Sequence, residues 1–502
     1  MKKHLAPFPL LLLFLLTFCC PYRVSATVAC AAPDSLMAEA KGSRYREAVQ
    51  KLSGAIKFKT ISDTEDKNTF ADEFIALHDY LENAFKELHS RLTREIINKQ
   101  SLLYTWPGTD PELKPVLLSA HIDVVPVEAV SMDEWEQEAF SGIITNGHIW
   151  GRGALDDKYR VIAIMEAVEQ LLLNGYMPER TILLAFGHDE EIGGNEGAGA
   201  ISELLQERYQ QLEAVFDEGL AVTKGIFPGI EEPIAFIGTA SKGSANFRLT
   251  VKGDGGHSSI PPNETPISIL SQAIVNINNN PFKAHITPST KETLEILSNR
   301  LGGKSKFAMQ HFGLFKGTIK KQLSKNMATD ALIRTKASPT IIQAGEKENV
   351  LPRVAQAIVN VRLLTGETEE SARAHLVKAI SDERVEVAGY GTYSPPSAVA
   401  KTDTWVYQAL KNTIETLFPE ALVVPALFPG GTDARHYASL TDNIFRFAPQ
   451  LVTPDDATRV HNVNERIALS VFDGCIDFYN LLIRQVADQE EYFVQIVNPG
   501  NF

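Results

Sequence analysis

The sequence predicts an α/β protein with a mixed, largely parallel sheet and helices on both faces, and a second, α+β ferredoxin-like domain inserted into it. Three observations carry that prediction. Short apolar runs at residues 115–120, 181–186 and 212–216 alternate with segments of helical periodicity, the pattern of a parallel sheet with crossover helices. Each run stops at a histidine or an acid: His121, the Glu190-Glu191 pair after Gly187-His188-Asp189, and Asp217. From about residue 244 the pattern changes to a strand, helix, strand, strand, helix, strand-like series.

The elements follow in chain order. Met1-Lys2-Lys3-His4 is basic, residues 5–20 are almost wholly apolar, and Val24-Ser25-Ala26 offers small residues at the positions a signal peptidase reads. Residues 1–26 are therefore expected to be a cleaved signal peptide, and the protein secreted or periplasmic. The apolar run holds 16 residues with Pro7 and Pro9 inside it, whereas a spanning helix needs about 20. A signal-anchored or lumenal protein is the alternative. No other stretch is apolar enough to span, so no transmembrane segment is expected after processing. Cleavage also removes Cys19 and Cys20 and leaves Cys30 and Cys475. Thr27-Val28-Ala29-Cys30 resembles a lipoprotein box, but lies late after the apolar run.

Residues 27–44 read as a flexible segment and 45–243 as the first part of a catalytic domain. Phe70, Phe74, Leu77, Leu81, Phe85 and Leu88 predict one helix over 70–89. Val161, Ile164, Met165, Val168, Leu171 and Leu172 predict another, closed by Asn174-Gly175. Residues 244–390 read as the inserted domain. Its strands are expected over 246–251, 354–362 and 385–388, and its helices over 266–277 and 369–380. Residues 391–502 return to the first domain with a helix over 405–417. Two polar clusters follow, Gly430-Gly431-Thr432-Asp433 and His461-Asn462-Val463-Asn464-Glu465.

Composition limits the function. The 502 residues carry 48 Lys and Arg against 62 Asp and Glu, a formal net charge of −14, which argues against nucleic acid as a partner. With 44% hydrophobic residues a large core is available and wholesale disorder is excluded. Four cysteines exclude a disulfide scaffold.

The strand-end residues suggest a chemistry. In open α/β sheets ligands sit outside the carboxyl ends of the strands, so His121, Glu190, Glu191 and Asp217 are expected at one edge. Asp156-Asp157 at a helix start and His461 near the C-terminus complete a set of two imidazoles and several carboxylates, a nitrogen and oxygen donor set suited to zinc. A carboxylate shared between two metals would make a two-metal hydrolytic site. Of two adjacent glutamates, one can ligate while the other serves as general base. Asp123 can orient His121 through the ring nitrogen that does not bind metal. Each residue alone has an ordinary explanation: a helix cap, a solvated turn, a core histidine. Those explanations are poor jointly, because all must fail at predicted strand ends. Gly193-Gly194-Asn195-Glu196-Gly197 lacks nucleotide-loop order, and Gly256-His257-Ser258-Ser259 is not a nucleophile elbow.

Several motifs together resemble a known family. Ser119-Ala120-His121-Ile122-Asp123, Gly151-Arg152-Gly153-Ala154-Leu155-Asp156-Asp157 and Gly187-His188-Asp189-Glu190-Glu191 come first. Asp217-Glu218-Gly219, Gly256-His257-Ser258, Asn349-Val350-Leu351-Pro352, Gly430-Gly431-Thr432-Asp433 and His461-Asn462-Val463-Asn464-Glu465 continue in family order. They resemble the di-zinc metallopeptidases of the aminoacylase, carboxypeptidase S and glutamate carboxypeptidase type. The branch they look most like is that of carboxypeptidase S and the secreted N-acyl-amino-acid hydrolase/synthases. The resemblance covers roughly residues 45–485 and implies a zinc-exopeptidase fold.

It also implies two Zn2+ per chain, one held by His121 and Asp217, the other by Glu191 and His461, with Asp156 bridging and a cis peptide before Asp157. Glu190 is implied as general base and later acid, Asp123 as the partner of His121, and His257 as an oxyanion-stabilising histidine that often reaches across a dimer. Asn349, Arg362, Gly430 and Gly431 are implied at the substrate, with Arg362 on its α-carboxylate. The implied reaction releases a C-terminal or N-acylated amino acid from a peptide or N-acyl amino acid, and a homodimer through the inserted domain is expected. Asn462 departs from relatives that often carry glycine after the ligand histidine.

Two alternatives belong to other classes: a silent binding protein on the same fold, or a different metal-dependent C–N hydrolase such as a deaminase. One local feature lies outside the family outline. Residues 282–336 carry eleven Lys and Arg against three acids, with Phe307, Phe312 and Phe315 interleaved. The plain expectation is a solvated helical insertion; the sharper one is an apolar, cationic rim for acyl chains, anionic substrates or a membrane surface.

Overall fold

A computed structural model describes residues 43–63, 69–225, 230–453 and 456–488. The expected signal peptide, and Cys30 with it, lie outside the described residues. Among the described residues no helix is long and apolar enough to cross a membrane.

Strands β1 (Thr93–Ile97), β2 (Ser101–Trp106), β3 (Val116–His121), β4 (Ile182–Gly187), β5 (Ala214–Thr223) and β6 (Ile234–Ser241) come first. The next four, β7 (Gly243–Lys252), β8 (Lys336–Ala344), β9 (Val354–Leu363) and β10 (Val385–Ser394), form a separate sheet. β11 (Leu422–Phe428) and β12 (Ile444–Val452) return to the first. The eight-stranded sheet has the order β1-β2-β4-β3-β5-β12-β6-β11. Its centre is parallel: β3 with β4 and β5, and β5 with β12. β1 and β2 add an antiparallel edge.

The pleat sends alternate side chains to opposite faces. Leu102, Tyr104, Leu118, Leu184 and Phe216 pack with the helices Lys158–Leu173 and Leu469–Ala487. Leu103, Leu117, Leu183 and Val215 pack with Ile201 and Leu205 of the helix Ala200–Tyr209 on the other face. Both faces are covered, so the strands read as continuous apolar runs.

The second sheet is antiparallel throughout, in the order β8-β9-β7-β10. The helices Pro266–Asn279 and Glu369–Ile380 share its core through Leu270, Ala273, Leu376 and Ile380. Numbered along this sheet, the spatial order is 2-3-1-4, with a helix after the first and third strands: the ferredoxin-like arrangement. The basic segment 282–336 is largely helical, beginning with Pro288–Leu301. That helix lies against the edge strand β11: Leu297 packs on Val424 and Ala426, and Thr293 Oγ1 donates to the Pro425 carbonyl at 2.6 Å. It thereby covers an otherwise open strand edge.

Three details differ from the sequence expectation. The helix expected over 70–89 is two helices, Ala71–Ala84 and Lys86–Arg91, because Phe85 takes non-helical angles of −128° and 70°. Strands β1 and β2 form a hairpin that the hydrophobic pattern does not announce. β5 does not stop at Asp217 but runs on to Thr223.

Candidate metal centre

The carboxyl ends of β3, β4 and β5 lie side by side, and the polar residues collect there. His121 ends β3. Its Nδ1 faces Asp123, 3.2 Å from Oδ1 and 3.1 Å from the backbone oxygen. Asp123 is fully buried and holds more than the imidazole. Its Oδ1 accepts from the Glu190 amide at 3.2 Å, and its Oδ2 from the Glu191 amide at 3.1 Å and from Ser62 Oγ at 2.6 Å. One carboxylate therefore fixes both the ring and the loop bearing the two glutamates.

With Nδ1 engaged, His121 Nε2 is the free face of the ring. It lies 3.0 Å from Asp156 Oδ1 and 3.8 Å from Glu218 Oε1. The other Asp156 oxygen, Oδ2, lies 3.0 Å from His461 Nε2, which is 3.1 Å from Glu191 Oε1. Asp156 thus stands between two histidines that are 340 positions apart in the chain. The peptide between Asp156 and Asp157 is cis. Asp157 turns away: its Oδ2 accepts from Arg160 Nη1 at 2.8 Å, and Arg160 Nη2 donates to the Ser119 carbonyl at 2.8 Å.

At one expected ligand position the structure favours a neighbouring acid. The clusters able to hold a cation are His121, Asp156 and Glu218 on one side, and Asp156, Glu191 and His461 on the other. Asp217 is in neither. Its Oδ2 accepts from the Ala434 amide at 2.8 Å, and Arg160 lies 3.9 Å from its Oδ1. The cause is a bulge. β5 pairs Asp217 with Arg446 and Leu220 with Phe447, so Glu218 and Gly219 have no partner of their own on β12. Bulges re-aim side chains beside active sites. Gly219, at φ +152°, is required there, since a Cβ would come 2.6 Å from Arg446 Cβ. Asp217 is the acid the sequence points to because it directly follows the apolar run, and Gly219 two residues on is the available signal of a bulge.

Each cluster offers imidazole and carboxylate atoms within 4.8 Å of one another. That donor set fits two divalent cations of the zinc type sharing Asp156. The electrostatics agree. Burial raises the Glu190 carboxyl well above the usual range; Asp433, Glu191 and Asp123 add to this and His121 opposes it. Burial and Asp156 raise Glu218 likewise. Burial would also raise Asp156, but hydrogen bonds from His121 and His461 outweigh it and leave its pKa well below the ordinary value. His461 is pushed up to about 10, first by its hydrogen bonds to Asp156 and Glu191. An acid cluster of this density needs positive charge, as protons or as metal.

The remaining expected residues divide. Gly430 and Gly431 follow β11 and lead into Thr432, whose Oγ1 accepts from the Ala434 amide at 3.3 Å. Arg435, on the next turn, has Nη1 3.3 Å from where a Cβ on Gly431 would stand and donates from Nη2 to the Gly193 carbonyl. Arg362 ends β9. Partial desolvation and the charge of Arg435 both lower its pKa. His257 and Asn349 are not brought to the centre. They sit on a small exposed ribbon, Gly256–His257 paired with Val350–Leu351. His257 Nδ1 accepts from the Ser259 amide at 3.1 Å, and the Asn349 carbonyl accepts from the Ser258 amide at 3.1 Å. The left-handed residues here are His461 and Asn464, at φ +59° and +62°, and Asn462 is not among them, so position 462 itself does not call for glycine. Glu465 is fully buried, and its Oε1 accepts from the Asp156 amide at 3.2 Å.

Fold and site together define a metallohydrolase of the exopeptidase type, and the comparisons with known proteins agree. The model of the family described as peptidase family M20/M25/M40 matches residues 117–485, and the chain belongs to that family. A probable carboxypeptidase S-like protein of Dictyostelium discoideum is 38% identical over 445 residues, 87% of this chain and 85% of its own length. An N-fatty-acyl-amino acid synthase/hydrolase of Mus musculus is 37% identical over 433 residues, covering 85% of each. Among solved structures, an M20 family metallo-carboxypeptidase from Sulfolobus solfataricus superposes with a TM-score of 0.66 at 19% identity, over 87% of this chain and 98% of that one.

Proposed function

We propose that this chain is a zinc-dependent amide hydrolase that releases an amino acid from a peptide C-terminus or from an N-acyl amino acid. The carrying observation is the placement of Asp156, one oxygen 3.0 Å from His121 and the other 3.0 Å from His461, with Glu190 next to Glu191 on the loop whose amides Asp123 holds. In this proposal His121 and Glu218 hold one zinc, Glu191 and His461 the other, and Asp156 both. Bound metal supplies a Lewis acid for the amide carbonyl and an acidified water.

The chain's own residues do the rest. Asp123 fixes the His121 ring so that Nε2 is presented. Glu190, its carboxyl raised by burial, takes a proton from the attacking water and returns it to the leaving amine. Arg362 and Arg435 carry guanidiniums that could take the substrate carboxylate, a group suited to bidentate contact. His257 and Asn349 stand apart within one chain, which supports their acting from a partner subunit in a homodimer. Cleavage after Ala26 and export remain part of the proposal on the leader sequence alone.

The names of the relatives at 38% and 37% identity support both a carboxypeptidase and an N-fatty-acyl-amino acid substrate. A panel of dipeptides, short N-acetyl and long N-acyl amino acids, each with a free or amidated α-carboxyl, tests the reading. Turnover that needs the free carboxylate and is lost to a chelator is expected. Equal turnover of amidated substrates, or indifference to the chelator, would overturn it.

A further inference from the structure

We infer that Glu465 is a positioning residue, whose buried carboxylate locks the loop carrying Asp156 onto the segment carrying His461 and so sets the affinity of the outer metal position. The inference rests on the two-metal reading above.

The contacts are specific. Glu465 Oε1 accepts from three consecutive-loop amides, Gly153 at 3.0 Å, Leu155 at 2.8 Å and Asp156 at 3.2 Å. Its Oε2 accepts from Arg152 Nη1 at 2.5 Å, and its backbone carbonyl accepts from the Gly151 amide at 2.9 Å. Arg152 reaches on to the Asn462 carbonyl at 3.5 Å, next to His461. The Glu465 residue is 0% exposed. A carboxylate gathering three amides and a guanidinium carries the hold of the neighbouring ladder, in which His148–Trp150 pairs with Arg466–Ala468, on into the loop.

The loop needs such a clamp on one side only. On the His121 side it is already tied, because Asp157 accepts from Arg160 and from the His121 amide, the latter at 3.4 Å. On the His461 side the ladder of His148–Trp150 with Arg466–Ala468 stops short of residues 151–156 and 461–464; beyond it the Glu465 and Arg152 side chains carry the connection. Loss of the clamp should leave Asp156 with His121 and free the His461 segment. The effect should therefore fall on one metal and not on both.

The test uses the full-length enzyme with zinc alone, measuring both binding equivalents by chelator competition. Glu465→Gln keeps the shape and can still accept from the amides, but sets an NH2 against Arg152. Arg152→Lys keeps the cation and loses the reach to Asn462. Wild type should bind two equivalents. In Glu465→Gln one should weaken by about 10–100-fold, the usual range for a group that supports metal ligands from behind. The other should hold, and excess zinc should restore turnover. Arg152→Lys should show the same selective loss to a smaller extent, and it carries the test if Glu465→Gln does not fold. Two equivalents of unchanged affinity in the folded variants, or equal weakening of both, would overturn the positioning role. A wild type that binds no zinc would instead overturn the two-metal reading beneath it.

Discussion

The two histidines of the centre sit in opposite surroundings. His121 ends an interior strand and its side chain is 2% exposed, while that of His461 is 50% exposed on a loop. His121 is held by the sheet and by Asp123, which is itself fixed by two amides and a hydroxyl. His461 stands at a left-handed backbone position and depends on neighbours that lie far away in sequence. One half of the centre is thus prepared by secondary structure, and the other is assembled by loop contacts. A two-metal site built this way should lose its halves separately.

Glu190, whose amide is held by Asp123, gives the largest expected effect. Glu190→Gln should keep both metals and lose about 10²–10⁴-fold in kcat, the range for a removed general acid or base. Elemental analysis alongside kinetics checks it, and near-normal turnover would contradict the role. The bulge gives the next effect. Glu218→Gln should lose the inner metal, while Asp217→Asn should keep it; the reverse pattern would return Asp217 to the ligand set. Asp123→Asn should then weaken metal binding by about 10–100-fold, mainly at His121, as competition against a chelator would show.

Stability separates the halves next. His121→Ala leaves buried acids without their partner and should cost about 3–5 kcal/mol. His461→Ala removes ion pairs that are half-exposed and screened by solvent, and should cost less, about 1 kcal/mol. Chemical denaturation of the metal-stripped variants measures both, and equal losses would erase the contrast.

The smallest effect is on pH. Bonded to two carboxylates, His461 holds its proton up to about 10. That raised pKa stabilises the metal-stripped fold below the ordinary histidine range and is lost as pH rises through about 10. Metal binding has the opposite sign, because the proton must leave first. Zinc affinity should rise with pH across neutrality and binding should release protons, both readable by calorimetry in buffers of different ionisation enthalpy.

Much of this was legible in the residues. Runs that end at His121 and Glu190 name strand ends directly, and the parallel core follows from apolar runs separated by helices. The hairpin of β1 and β2 was not legible: it turns at Asn98-Lys99, both at positive φ, where Asn-Gly would have been the readable signal. Glu218 was hidden because a bulge breaks the period of two on which facing is inferred. Glu465 was hidden because its partners are backbone amides, which leave no mark in side-chain patterns. Arg435 needed the two domains to be seen together.

The strand order has a consequence for synthesis. β12, from residues near 450, lies between β5 and β6, which are made more than 200 positions earlier. His461 and Glu465 emerge later still. A nascent chain that has completed the inserted domain still lacks an interior strand of its main sheet and one side of its reaction centre. A chain still being synthesised therefore has no complete reaction centre, and a stalled or truncated product exposes strand edges that a chaperone would have to cover.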